Sequence, residues 1–94
     1  MTHVLQAFLK DPAEVLDYDM DWTTLGWLGA DTIADSSWTV QGGLTKDSNS
    51  HTDTVATVWL SGGSAGTDYV ATCHIETAGG REGERSILIR VRNR

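Results

Sequence analysis

The stretch LDYDMDW, residues 16–22, alternates strictly between large apolar side chains and aspartates. Side chains of a β-strand point alternately to its two faces, so this period-two alternation predicts a strand with one buried side and one solvent-facing side. We expect the strand to cover residues 14–22. Leu16, Tyr18, Met20 and Trp22 form its apolar face, and Asp17, Asp19 and Asp21 form its acidic face.

The rest of the chain repeats this alternation in short segments, and helical spacing is almost absent. Pro12 lacks a ladder donor, so the run 10–12 ends the first strand. Residues 54–60 are apolar on both faces and predict a central strand, whereas 44–47 predict a brief edge strand followed by a polar connector at 48–53. The other predicted strands are 3–9, 32–40, 69–77 and 84–92, and the glycine-rich connectors are 61–67 and 78–83.

This succession of short strands and turns predicts an all-β fold, an immunoglobulin-like β-sandwich of about seven antiparallel strands that forms one domain over residues 1–94. Tyr69 follows a glycine-rich connector and opens the penultimate strand, which is the position of a tyrosine corner in such sandwiches. Trp38 lies in a middle strand, where its ring can fill the space between two sheets. Cys73 has no cysteine partner in the chain, so it is interpreted as a small buried apolar residue.

Charge is distributed unevenly along the chain, whose formal net charge is −6. Residues 1–53 hold nine acidic residues against Lys10 and Lys46, whereas residues 81–94 hold five arginines against Glu82 and Glu84. A net acidic protein lacks the basic field that binds a polyanion, so nucleic acid is not an expected partner. The two charged ends can neutralise each other within the fold or pair between molecules, and the sequence leaves both alternatives open.

The pattern Gly-x-Ser-x-Gly at residues 62–66 matches the nucleophile elbow of esterases. An elbow needs a strand before it and a helix after it, but here a strand follows, and His74 would have to act as the base from within that strand. We therefore predict a tight turn, because glycines supply the positive φ angles that such a connector requires. The protein is not expected to be an enzyme.

Candidate metal sites also fail on spacing. Asp17, Asp19 and Asp21 resemble the start of a calcium loop, but the positions of its glycine and its bidentate glutamate hold Trp22 and Leu28. Cys73 and His74 are adjacent on a strand and point to opposite faces, which prevents joint zinc ligation. No catalytic, cofactor-binding or metal-binding residue is predicted.

No segment predicts targeting to a membrane. Residues 1–9 lack the cationic start and long apolar run of a signal peptide, and no stretch approaches the roughly 20 apolar residues of a membrane span. We expect synthesis in the cytoplasm, a soluble product and no membrane partner.

Several runs together resemble a family of small virion proteins of tailed bacteriophages, whose members are described as fibre-to-tail adaptors or small structural proteins. The runs are TDTVATVWLSGGSAGT from residue 52, the segment 69–77, the Gly-Arg pair at 80–81, RSILIRVR at 85–92, and the KDP, VLDY and DW runs at residues 10, 15 and 21. The resemblance covers nearly the whole chain. It implies a structural component of the virion, with no catalytic or ligand residues that define the family.

The resulting hypothesis is an adaptor that links the tail or head-tail region to fibres through sheet edges and loops. Its partners would be other virion proteins (tail, connector or fibre), with several copies in a symmetric ring. Two alternatives remain: a capsid decoration protein, or a module that binds host-surface glycan through an exposed Trp22, Trp27 or Trp59. The predicted contact residues are Asp17, Asp19, Asp21, Trp27, Leu28, Arg90, Arg92 and Arg94.

Overall fold

The structure, a computed structural model, describes residues 4–23 and 28–93. These residues form seven β-strands and no helix, which confirms the predicted all-β class. No helix in these two ranges is long and apolar enough to cross a bilayer. The strands are β1 (Val4–Lys10), β2 (Leu16–Asp21), β3 (Ile33–Val40), β4 (Leu44–His51), β5 (Val55–Gly62), β6 (Asp68–Thr77) and β7 (Glu82–Val91).

The strands form two sheets. Sheet A has the order β1-β7-β6-β3, and sheet B has the order β2-β5-β4. In immunoglobulin domains one sheet contains strands B, E and D side by side and the other contains G, F and C. The orders β2-β5-β4 and β7-β6-β3 are the same sequences of neighbours, so the strand order is compatible with an immunoglobulin-like sandwich.

The first strand departs from the predicted antiparallel arrangement. β1 pairs with β7 in parallel, with Leu9 opposite Arg90, whereas the other strand pairs are antiparallel. Parallel neighbours need a long connection, and here the connection from β1 to β7 contains the other five strands. Local alternation reveals a strand but not its partner, so the sequence could not show this pairing.

A single apolar core lies between the sheets and comes from alternate residues of their inner faces. Phe8 of β1 packs against this core, its ring centroid 5.1 Å from that of Tyr18 in β2. The prediction of inward-facing residues is confirmed for β2, β6 and β7. The buried core is Tyr18, Met20, Trp22, Leu28, Ile33, Trp38, Leu44, Ala56, Val58, Leu60, Tyr69, Ala71, Cys73, Ile75, Ile87, Ile89 and Val91.

The prediction for residues 44–53 was partly wrong. A brief strand and a polar connector were expected, but β4 continues to His51 and pairs with β5 throughout, apart from a register shift between Lys46 and Ser48. Leu44 is the only buried residue of this edge strand. Its polar residues are compatible with a strand because their backbone can pair with β5 while their side chains stay in solvent. The prediction that β5 is central in its sheet is confirmed.

Candidate interaction surfaces

The glycine-rich connector between β5 and β6 is closed by Tyr69. Its phenol oxygen accepts a hydrogen bond of 2.9 Å from the backbone N–H of Ser64, and this bond lowers the pKa of Tyr69. Gly63 has a φ of 92°, and a Cβ there would lie 2.8 Å from the Val91 side chain. The tyrosine corner is therefore confirmed, and the glycine is required by both its backbone angle and its close packing.

The structure does not assemble an esterase site around this turn. Ser64 lies before the start of β6, whereas His74 lies near the end of that strand, where its ring nitrogens contact Glu82 at 3.0 Å and Glu84 at 3.4 Å. A base must lie within hydrogen-bond reach of its nucleophile. The serine and the histidine lie toward opposite ends of the sandwich, which agrees with the interpretation of residues 62–66 as a turn.

Lys10 is buried at the end of the sandwich that contains the tyrosine corner. Its side chain is fully shielded from solvent, and its Nζ donates to the carbonyl of Asp11 at 2.9 Å and to that of Gly62 at 2.7 Å. Loss of hydration lowers the pKa of this amine. The second bond ties the end of β1 in sheet A to the end of β5 in sheet B. Sequence reasoning treated Lys10 only as part of a strand terminator and missed this role.

The acidic strand faces solvent on the outer side of sheet B. Asp17 and Asp19 are exposed, and the Asp19 carboxylate accepts a 2.7 Å hydrogen bond from the Thr57 hydroxyl. Asp21 is half-buried and accepts bonds from the backbone and hydroxyl of Thr23 at 2.9 and 2.6 Å. The predicted flat row of carboxylates is present, and two of the three are engaged by their own chain.

Trp59 lies beside this row. It is the register partner of Asp17 on β2 and of Ser48 on β4, and it is 41 % exposed although the flanking Val58 and Leu60 are buried. β5 is central in its sheet and apolar on both faces, as predicted, and its outer face is open to solvent at Trp59. An aromatic ring on an exposed sheet, bordered by a carboxylate and a hydroxyl, is a surface suited to binding rather than to the core.

The basic strand has a local acidic partner. Arg92 pairs with Asp68 at 2.9 Å, and Arg90 approaches the same carboxylate at 3.8 Å. Neither arginine pairs with the acidic strand within the described residues, whereas Arg81 of the basic end interacts electrostatically with Asp31 of the acidic half. Arg90 remains exposed on the outer face of sheet A, next to Leu9, whose side chain is 52 % exposed.

The connection between β2 and β3, which contains Trp27 and Leu28, is only partly described. Leu28 is 1 % exposed and belongs to the core, so its prediction as a contact residue is corrected. Trp27 and Arg94 lie outside the described residues.

A cluster at the β6–β7 hairpin was missed by sequence reasoning. His74, Glu76 and Glu82 each offer one potential ligand atom, and these atoms lie within 4.8 Å of one another. Strand pairing places Glu76 opposite Glu82, although like charges in that position repel. No local spacing signal could have found the cluster, since it depends on the register of two strands. The His74 ring is already engaged by Glu82 and Glu84, and the group is exposed.

The remaining chemical features are structural. Burial raises the pKa of the Cys73 thiol to about 12, which confirms its interpretation as a buried apolar residue. A shallow depression of about 400 Å³ lies on the outer face of sheet A, and no residue in its lining carries an ionisable side chain. Acid-base catalysis would require such groups. The lining residues are Thr39, Val40, Gln41, Val70 and Thr72.

Comparison with known proteins assigns the chain to a family. The family model described as Podophage GP4 fiber-tail adaptor protein gp77 matches residues 10–90 of the chain. No curated protein is significantly similar to it. The match spans far more than half of the chain and includes five of the seven strands completely. The chain therefore belongs to the podophage fibre-tail adaptor family, a family of structural proteins of the phage tail.

Proposed function

We propose that this protein acts as a single domain in the virion and joins the phage tail to its fibres through protein-protein contacts, with several copies arranged in a symmetric ring. Family membership supports a structural role in the tail. The contacts with fibre and tail proteins and the ring of copies go beyond what family membership shows.

The observation that carries the proposal is an exposed acidic row on the outer face of sheet B and an exposed arginine on the outer face of sheet A, where Arg90 lies beside Asp68. Asp17 and Asp19 are exposed on sheet B, and Arg90 is exposed on sheet A. A domain with unlike charges on its two faces can contact a neighbour on each side. Repetition of one such head-to-tail contact closes into a ring when the rotation between copies allows it.

The location of the protein in the phage particle distinguishes the adaptor proposal from the alternative of a capsid decoration protein. Isolated tails and isolated heads from the same phage preparation can be compared by quantitative mass spectrometry. An adaptor is expected in the tail fraction in a fixed ratio to the fibre protein. Recovery of the chain with the heads would contradict the proposal.

A complementation experiment tests the role of the basic strand. Phage that lacks the gene would be grown with the wild-type protein or with the Arg90→Glu, Arg92→Glu double variant supplied in trans. We expect fewer particles with attached fibres when the variant is supplied, while thermal melting of the purified variant verifies that it folds. Unchanged incorporation and fibre attachment would count against these arginines as contacts.

The glycan alternative now depends on one described residue. Trp22 is fully buried and cannot stack on a sugar, whereas Trp59 is 41 % exposed. Exposed aromatic rings beside carboxylates do bind carbohydrate, so Trp59 keeps this second candidate open. Quenching of the Trp59 fluorescence by oligosaccharides of the host surface is the measurement that would support it, with a Trp59→Phe variant as the control.

A further inference from the structure

Two exposed rows of side chains combine an apolar residue with a charge. We call the first the tryptophan row: Asp17, Trp59 and Ser48, register partners across β2, β5 and β4 on the outer face of sheet B. We call the second the arginine row: Leu9, Arg90 and Asp68, register partners across β1, β7 and β6 on the outer face of sheet A.

Both rows lie at the same end of the sandwich. The bond of 2.7 Å from Lys10 Nζ to the Gly62 carbonyl joins the last residue of β1 to the last residue of β5. Leu9 directly precedes Lys10, and Trp59 lies three positions before Gly62. The two rows therefore lie on opposite outer faces, both toward the end of the sandwich that contains this bond.

The charges of the two rows are available to a neighbour. The Arg90 side chain is 49 % exposed, and its Nε is 3.8 Å from a carboxylate that Arg92 already holds at 2.9 Å. Asp17 is exposed and has no ion pair within the described residues. Each row thus presents one weakly engaged charge, positive on sheet A and negative on sheet B.

The apolar members of the rows are also complementary. Leu9 and Trp59 are two of the three large apolar side chains that are exposed within the described residues, at 52 % and 41 %. A guanidinium group stacks favourably on an indole ring, and tryptophan and arginine are the residues most enriched at interface hot spots. A leucine beside the arginine can cover the part of the ring that the guanidinium leaves open.

We infer that a second copy of this chain docks its arginine row on the tryptophan row, so that Arg90 stacks on Trp59 and pairs with Asp17 while Leu9 covers the indole edge. This inference rests on the proposed function, because it names the contact between neighbours in the ring. The contact joins different faces of two copies, so it is a head-to-tail contact. A repeated head-to-tail contact closes into a ring when the rotation between copies allows it.

Sedimentation velocity of the purified full chain tests this contact through a charge swap. Asp17→Arg and Arg90→Asp each place like charges in the contact, and we expect each to weaken self-association by about 10-fold or more. The double variant carries the same two charges in exchanged positions and should regain most of the wild-type association. Asp35→Arg is the matched control, because Asp35 is an exposed carboxylate at the other end of sheet A and should leave the association unchanged.

Three results would overturn the inference: a wild-type chain that stays monomeric at about 1 mM, a double variant no better associated than the single variants, or an Asp35→Arg variant as impaired as Asp17→Arg. Trp59 quenching by an oligosaccharide, with no self-association, would assign the tryptophan row to carbohydrate instead. Failure here is distinguishable from failure of the proposed function. A chain that is recovered with the tails but does not self-associate would refute only the contact.

Discussion

Replacement of Lys10 by methionine tests whether the buried amine holds the two sheets together. Methionine keeps the unbranched apolar stem, so the change removes the Nζ group without leaving a large cavity. Two hydrogen bonds from a charged donor are lost, each worth about 1.5–3 kcal/mol, and their carbonyl acceptors lose a partner. The desolvation cost of the buried charge is relieved at the same time. Asp11 and Gly62 are half-buried, so water replaces part of the loss.

We expect these opposing terms to leave a net loss of about 2 kcal/mol in the free energy of unfolding. For a domain of this size that loss lowers the melting temperature by about 8–16 °C. Urea denaturation at neutral pH measures the free energy, and differential scanning calorimetry measures the temperature. Lys46→Met is the matched control, because the exposed Lys46 donates to the Trp38 carbonyl at 3.0 Å and its loss should cost less than about 1 kcal/mol.

The pH dependence of this difference gives a second measurement. Burial lowers the pKa of Lys10 from its ordinary value of 10.5. At a pH between the folded and unfolded pKa values of Lys10, the unfolded chain binds more protons than the folded chain. The free energy of unfolding therefore rises as the pH increases toward the unfolded pKa, and this gain is lost as the pH falls through the folded pKa. The stability gap between wild type and Lys10→Met should therefore widen from about pH 7 to about pH 10. If Lys10→Met is as stable as wild type and the stability difference between them does not change with pH, Lys10 does not hold the two sheets together.

Three further perturbations test the turn and the core. Tyr69→Phe should cost about 1–2 kcal/mol in urea denaturation because the Ser64 N–H loses its acceptor, and an unchanged midpoint would contradict the tyrosine corner. Gly63→Ala should cost more than about 2 kcal/mol by the same measurement, since its Cβ would lie 2.8 Å from the Val91 side chain at a positive φ; a neutral result would mean that this turn adapts freely. Cys73 should react with a thiol reagent only on unfolding, because its pKa is raised to about 12, and rapid labelling of the native chain would show that it is accessible.

Sequence patterns predicted the parts of this fold that local alternation decides. The one-sided strand around Tyr18, the inward residues of β6 and the corner at Tyr69 were all predictable, because each depends on neighbours within a few residues. The parallel pairing of β1 and the burial of Lys10 were not predictable. Both are set by contacts across the sandwich, and Lys10 is 52 positions away in sequence from Gly62, whose carbonyl it binds.

The candidate surfaces divide in the same way. The acidic row of Asp17 and Asp19 follows directly from alternation, and its exposure is confirmed. The position of Trp59 beside Asp17 depends on the register of β2 against β5, and the approach of Arg90 to Asp68 depends on that of β7 against β6. Sequence reasoning therefore found the charges but not which apolar side chains lie beside them.

The edges of the two sheets bear on how such a domain can meet its neighbours. An open sheet edge invites another strand, and natural proteins block it with lysines and bulges. Lys46 donates its Nζ to the Trp38 carbonyl of the edge strand β3, and the pairing of β4 shifts register next to the same lysine. Strand addition is hindered along this side, whereas Trp59 and Arg90 remain exposed on the outer faces. Along this side, contacts through faces are therefore favoured over contacts through edges, and they fix the spacing of copies by side-chain chemistry rather than by an extendable backbone ladder.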